Sequence, residues 1–298
     1  MAQTVQQEVV DGAIAIRDRI AAALKSSSPL LIGRHGTFEF QCVLWSMKNP
    51  DSPMEDKMMS VLNTNAGIFP KTRDAMKEWL EAYWLASKLA DGLATGWYLP
   101  TAEAEKRLVT EHCPNALQFP LRSLEPYYVP PEHRWTRLLE NRRVCVVSSF
   151  TQTMATQVMK GRRIWPKDGS SILPQKAKWS FVRSYYPPEL TNPSTAWLCG
   201  ISTWKEAVES IVLRVLETDP EIILIGCGGL AMVAAAELKK RGKIAIVLGG
   251  AIQVLFGIKG ERWKKHEIIS DFWNDAWTSP RADEVPSHAF TVEGGCYW

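Results

Sequence analysis

Three glycine-containing turns in this chain carry residue types able to hold an anion or move a proton. Gly33-Arg34-His35-Gly36-Thr37-Phe38-Glu39 sets a guanidinium and a carboxylate five residues apart. Arg34 can grip a diphosphate through two parallel N–H···O bonds, and Glu39 can ligate a metal or take a proton. An Arg34–Glu39 ion pair closing the turn is the alternative, and such pairs contribute little. His35 reads as a hydrogen-bonding turn residue. Gly226-Cys-Gly-Gly-Leu-Ala231 satisfies G-x-G-x-x-A, in which small residues let backbone N–H groups approach a phosphate. The same glycines, Gly226, Gly228 and Gly229, equally suit tight packing of a helix on a strand. The stretch from Gly249 to Trp263 holds four glycines, one amide, two cations and two aromatics in 15 residues. There Gly249 and Gly250 open the backbone, Lys259 and Arg262 can offset charge on a departing diphosphate, and Gln253 can orient a sugar or ribose. Trp263 or Phe256 can stack on a ring or pack in the core. Ser148-Ser149-Phe-Thr151 offers hydroxyls to phosphate oxygens, or caps a helix.

Such turns need elements that bring them to one edge. Val9, Val10, Ala13, Ile14, Ile16, Ile20, Ala21 and Leu24 recur at helical spacing, so an amphipathic helix is expected to open the chain and end near Ser26-Ser-Ser-Pro29. Residues 29–33 read as a buried strand, with a helix from about Thr37, which places the first turn where α/β proteins bind ligands. Residues 50–140 read as helices punctuated by Asn63-Thr-Asn-Ala-Gly67, Pro70, Gly92 and Pro130-Pro131, with little strand: a helical insertion or cap. Strands at 144–148, 179–182, 221–225 and 243–247 then alternate with helices at 151–160, 202–217 and 229–241, the cadence of a parallel sheet. A last segment bearing Trp263, Trp273, Trp277 and Trp298 is expected to wrap over it. The expectation is a single α/β domain over 1–298, with a doubly wound, mostly parallel, Rossmann-like sheet and a helical insertion in the N-terminal half.

Composition narrows the function. Of 298 residues, 46% are hydrophobic and 22% charged, which suffices for a sizeable core and excludes a disordered or collagen-like chain. With 35 Lys+Arg against 32 Asp+Glu the net charge is +3, too balanced for binding dominated by nucleic-acid phosphates but compatible with a small anionic ligand. The six cysteines show no Cys-x-x-Cys spacing, the N-terminus shows no basic-then-apolar leader, and no run reaches about 18 apolar residues. A reduced, cytoplasmic chain without a transmembrane segment is expected. No Asp or Glu occurs from Leu238 until Glu261, where a nicotinamide or S-adenosylmethionine site would place its ribose carboxylate. That counts against a dinucleotide enzyme and, less strongly, against a methyltransferase using the 226–231 turn. No G-x-x-x-x-G-K-[ST], H-E-x-x-H or G-x-S-x-G motif occurs.

Several of these segments together resemble a known family. Ile32-Gly-Arg-His-Gly-Thr-Phe-Glu39 resembles the Gly-Arg-x-Gly-Asp-Gly-Glu segment of GT-D-fold glycosyltransferases, and 223–231 followed by 238–249 is similar to that family's strand, glycine turn, helix, strand and glycine. The chain also looks like a group of proteins associated with polysaccharide gene clusters and large DNA viruses. The marks are Leu124-Glu-Pro-Tyr-Tyr128, Ser149-Phe150 with Thr153 and Gln157, Gly249-Gly-Ala-Ile-Gln253 with Phe256-Gly-Ile-Lys-Gly-Glu-Arg-Trp263, and Glu293-Gly-Gly-Cys-Tyr-Trp298. The resemblance spans residues 30–298. It implies transfer of a sugar from a nucleotide-diphosphate donor to a glycan or lipid-linked acceptor in polysaccharide synthesis. GT-D enzymes hold a divalent metal, Mn²⁺ or Mg²⁺, with an Asp-x-Glu pair. This chain has Thr37-Phe-Glu39, so only Glu39 carries over as a metal ligand, and Arg34, Lys259 and Arg262 are expected to neutralise the leaving group. Gly33, Gly36, Ser148, Ser149, the glycines of the two later turns, Gln253 and Trp263 are expected to surround the donor. The rival readings are an S-adenosylmethionine-dependent methyltransferase and a non-catalytic partner in polysaccharide assembly.

Overall fold

The computed structural model describes residues 2–167 and 169–298. Seven strands form one parallel sheet: β1 (Leu30–Arg34), β2 (Gly92–Ala94), β3 (Leu117–Phe119), β4 (Arg143–Ser148), β5 (Lys178–Arg183), β6 (Ile222–Gly226) and β7 (Ile244–Val247), in the order β3-β2-β1-β7-β6-β4-β5. The central strands are continuous apolar runs because both faces are covered. Leu31, Val147, Ile223, Ile225, Ala245 and Val247 point to one face, where helices Thr37–Lys48, Asp56–Thr64, Arg73–Lys88, Trp204–Glu217 and Leu230–Lys240 pack. Leu30, Ile32, Val146, Ile222, Leu224 and Ile246 point to the other, under helix Ala2–Ser26, helix Thr151–Lys160 and the C-terminal segment. The expected doubly wound α/β fold is what the chain adopts.

Local chemistry explains the boundaries. In helix Ala2–Ser26 the buried residues Val9, Ala13, Ile16, Ile20 and Ala23 step by four and three, one stripe of an amphipathic helix. Ser27, at φ +53°, turns the chain out at its end. Helix Trp204–Glu217 begins with a capping box, the Thr203 hydroxyl accepting from Glu206 N–H and the Glu206 carboxylate from Thr203 N–H.

Residues 50–140 depart from the expectation of helix with little strand. They hold the helices Asp56–Thr64, Arg73–Lys88 and Ala102–His112, but also β2 and β3, which extend the sheet beyond β1. Strands of three residues are too short for a two-residue alternation to show, and β2 begins on a glycine. No helix among the described residues is long and apolar enough to cross a membrane.

The chain runs outward from β1 to β3, crosses the sheet to β4, and returns to β1 through β6 and β7. The helix after β1, Thr37–Lys48, packs on one face of the sheet and the helix after β7, Ala251–Leu255, on the other, and a crevice opens at the carboxyl ends of the strands, where open α/β sheets bind ligands.

Candidate functional site

The crevice is a cleft of about 1220 Å³. The carboxyl ends of β1, β4, β6 and β7 form its floor, and the 64–67 loop, Trp97, the segment after β3 and the C-terminal residues 292–298 form its walls. The structure brings Arg34, Gly36, Glu39, Ser148, Ser149, Gly226, Gly228, Gly249, Gly250, Gln253, Arg262 and Trp263 to its lining. It places Gly33, Gly229, Lys259 and Phe256 elsewhere. A Cβ on Gly33 would stand 2.9 Å from Met232 Sδ, inside the helix-on-sheet packing. The Lys259 ammonium lies over the Trp273 ring, 5.4 Å from its centroid, while its N–H is tied to Thr278 O. Phe256 is fully buried against Trp179 and Phe181 and has no face for a ligand ring.

Two guanidiniums meet at one glycine pair. A Cβ on Gly249, at φ +58°, would stand 3.0 Å from Arg34 Nη1, and a Cβ on Gly250 would stand 3.6 Å from Arg262 Nη1 and 3.1 Å from the Tyr297 ring. A side chain at Gly249 would be strained in the left-handed region and crowd Arg34, whereas one at Gly250 would press on the Tyr297 ring and only touch Arg262, so it is at Gly249 that the approach of a cation requires glycine. The N–H groups of Gly250 and Ala251 take no acceptor from the described residues.

Arg34, at the end of β1, donates from Nε to His35 O at 2.9 Å and lies with its guanidinium 4.3 Å over the Trp97 ring. Among the described residues no carboxylate lies within ion-pair distance of it, so the Arg34–Glu39 pair weighed from the sequence does not form. Arg262 lies 4.5 Å over the Tyr297 ring, is bound by the Glu293 carboxylate, and has Cys296 Sγ at 3.2 Å. Burial pulls its pKa down, but Tyr297 and Glu293 outweigh that and raise it.

Glu39 stands in the first turn of helix Thr37–Lys48, where a carboxylate suits the helix dipole. Its side chain folds back over Gly36 and accepts from its own backbone N–H. Burial raises its pKa, with that hydrogen bond and Arg34 opposing. Beside it is Thr37, not a second carboxylate, and among the described residues no three His, Cys, Asp or Glu side chains group as a metal site would need. A folded-back carboxyl that burial drives toward its neutral form does not fit the divalent ion expected at Glu39.

Beneath the first turn, His35 Nδ1 meets Glu105 Oε1 at 2.9 Å and Nε2 meets Ser87 Oγ at 3.0 Å. Ser87 gives its own proton to Tyr83 O, so His35 donates to Ser87. The other Glu105 oxygen accepts from Gly96 N–H. This buried chain locks the end of β1 to the loop after β2, and so fixes Arg34 against Trp97.

Other residues singled out from the sequence have structural partners. Gln253 is buried, and its amide donates to Lys259 O and Tyr297 O, stapling the C-terminal residues over the cleft. Trp263 is buried with its ring edge against Gly250 and Gly260. The Ser148 hydroxyl turns inward to accept from Phe150 N–H, and Ser149 pairs with Ser184. In the 226–229 turn the packing alternative fills the space. A Cβ on Gly226 would meet Gly249 O at 2.7 Å, one on Gly228 would meet Ala66 O at 2.7 Å, and one on Gly229 would meet Trp79 at 2.9 Å. Gly229 N–H donates to Ala66 O and Trp79 Nε1 donates to Gly229 O.

No family model matches the chain, and no curated protein matches its sequence. Solved structures do. The chain is similar to a structure described as a new glycosyltransferase (DUF1792) from Streptococcus sanguinis, at 14% identity and a TM-score of 0.38, over 85% of this chain and 96% of that one. It is similar also to a structure described as showing that the domain of unknown function 1792 has a distinct glycosyltransferase fold, at 12% identity and a TM-score of 0.37, over 89% and 96% of the two chains. At such scores the likeness carries no mechanism across, which leaves that to the chemistry of the cleft.

That chemistry includes a residue to which the sequence reading gave no role. Glu125 lines the cleft, half-buried, between Leu124 and Pro126. Burial pushes its carboxyl up to about 7, with Arg34 and Arg122 opposing. Its segment, Leu124-Glu-Pro-Tyr-Tyr128, entered the resemblance as a mark of the group, but no spacing to another reactive residue gave the Glu a role. Trp97, Glu293 and Tyr297 likewise become part of the site only through the fold.

Proposed function

We propose that the protein transfers a sugar from a nucleoside-diphosphate donor to a glycan or lipid-linked acceptor in glycan synthesis, and that Arg34 and Arg262 hold the donor diphosphate. One observation carries this reading: two guanidiniums from distant parts of the chain stand at the consecutive glycines Gly249 and Gly250, and the N–H groups of Gly250 and Ala251, both on the lining of the same cleft, take no acceptor from the described residues. A diphosphate bridging the two cations accepts charge-assisted bonds from both and backbone bonds from Gly250 and Ala251. The same donors stabilise the charge that builds on the β-phosphate as the glycosidic bond breaks, in a site where water is partly excluded. Trp97, half-buried with one face on Arg34, offers a ring edge near the donor, and Glu39 sets the turn that aims Arg34. Pockets for small ligands run to roughly 300–1,000 Å³. The 1220 Å³ of this cleft leaves room for an acceptor beside the donor.

The test is a thermal-shift and calorimetry screen of UDP-, GDP- and dTDP-sugars against the wild type, Arg34→Ala and Arg262→Ala. Loss of one charge-assisted contact, about 1.5–3 kcal/mol, predicts binding weaker by about 10- to 100-fold in each variant. Chelator should leave binding unchanged, since the cations replace the metal. A wild type that binds none of these nucleotides, or variants that bind as tightly as it does, would overturn the reading.

A further inference from the structure

The cleft is lined by four carboxylates, Glu8, Glu39, Glu125 and Glu293, among the described residues. Each is a formal candidate to take a proton, and the structure separates them. Glu293 is bound to Arg262 and accepts from the Tyr297 hydroxyl. Glu39 folds over Gly36 onto its own backbone N–H. Glu8 is exposed on helix Ala2–Ser26, at the solvent side of the lining. His266 is the imidazole on the lining, and its Nδ1 accepts from the N–H groups of Ile268 and Ile269 at 3.2 and 3.3 Å. Its proton is therefore on Nε2 and it has no free lone pair to act as a base. Glu125 alone is half-buried with no cation within 4 Å among the described residues.

The frame around Glu125 is rigid. Its C=O accepts from Tyr128 N–H at 3.0 Å, its N–H donates to Arg122 O, and Pro126 fixes the chain that follows. Tyr127 stacks on Trp165 with planes 5° apart, and the Arg122 guanidinium lies 4.9 Å over the Tyr128 ring. A backbone held this way keeps the position from which the Glu125 side chain enters the cleft lining.

Resting on the glycosyl-transfer reading above, we propose that Glu125 is the general base that takes the proton of the acceptor hydroxyl. The acceptor oxygen forms its bond to the anomeric carbon as its proton passes to the Glu125 carboxylate. The bond from the anomeric carbon to the β-phosphate oxygen breaks, and its electron pair leaves with the diphosphate held by Arg34 and Arg262. The protonated carboxyl then loses its proton to solvent. One displacement inverts the anomeric configuration. The groups facing Glu125 are Arg34 from β1 and Arg122, Tyr127 and Tyr128 from its own segment. The two cations oppose the effect of burial, which leaves the carboxyl poised near neutrality, where a base is both ionised and strong enough to accept a proton.

The experiment compares the wild type with Glu125→Gln and Glu125→Asp, using the UDP-, GDP- and dTDP-sugar panel with a mixture of monosaccharide and lipid-linked acceptors. Nucleotide binding is read by thermal shift, and transfer by release of the nucleoside diphosphate. We expect the Gln variant to bind nucleotide as the wild type does and to transfer about 100-fold or more slowly. We expect the Asp variant to recover part of the rate with a displaced pH profile, and the product to be inverted. Wild-type transfer should fall about tenfold per pH unit below about pH 7. A Gln variant with the wild-type rate and pH profile, or a product with retained configuration, would overturn the base while leaving the donor site standing. A wild type that binds no nucleotide sugar would overturn both.

Discussion

Replacing Glu125 by glutamine tests its environment without any ligand. Burial moves this carboxyl from 4.5 to about 7, so between those values the folded protein holds a proton that the unfolded chain has released. The sign follows from the direction of the shift: the contribution of Glu125 to stability is intact below about pH 4.5 and is lost as pH rises through about 7. Glutamine has the same shape and never ionises. The variant should therefore match the wild type near about pH 4 and become the more stable of the two above about pH 7, by a ceiling of about 3 kcal/mol at 1.36 kcal/mol per pKa unit. The carboxyl keeps some contact with water, so a gain of about 1 to 2 kcal/mol is the expectation. Urea unfolding at a series of pH values reads the difference directly, because Glu39 and every other titrating group are common to both proteins and cancel. A difference that stays constant from about pH 4 to about pH 8, or a variant less stable throughout, would refute the argument that burial governs this group. A side chain that lowers stability at neutral pH is one whose retention needs a chemical reason.

Two further outcomes follow from contacts in the cleft. Gly228→Ala combines a left-handed backbone at φ +59° with a Cβ 2.7 Å from Ala66 O, so it should cost about 2 kcal/mol or more in a chemical or thermal unfolding measurement; an unchanged midpoint would show that the 64–67 loop is not held by this turn. Glu293→Gln removes the anion that occupies Arg262 and should tighten UDP binding severalfold by calorimetry at low salt, whereas weaker binding would mean that Glu293 orients the guanidinium instead of competing with phosphate for it.

How far the site could be read from the sequence depends on how local each determinant is. β1, β4, β6 and β7 were legible because each is built on an unbroken apolar run that gives way to Gly33, Ser148, Gly226 or Gly249, and the turns at their carboxyl ends fall on one edge in any parallel sheet. Arg34 and Arg262 could be named for the same reason, since each sits within a strand-end segment rich in glycine. Side-chain direction was not local. Lys259 and Arg262 are three residues apart in one motif, yet the pairing of Lys259 N–H with Thr278 O turns its ammonium onto Trp273, while Arg262 N–H, bound to Cys296 O, lies where its guanidinium meets Gly250. Gln253 was expected to orient a sugar because an amide among glycines is a good hydrogen-bonding group. The same property makes it a good staple, and the carbonyls of Lys259 and Tyr297 reach it first. Glu125 is the limiting case. Arg122 and Tyr127, its neighbours in sequence, pull its pKa down and so do not account for the upward shift. That shift comes from burial, opposed by Arg34 from a strand some ninety positions away, so its role exists only once the sheet has closed. Residues whose function is to be near a backbone turn can be found by pattern, and residues whose function depends on a shifted proton affinity need the fold.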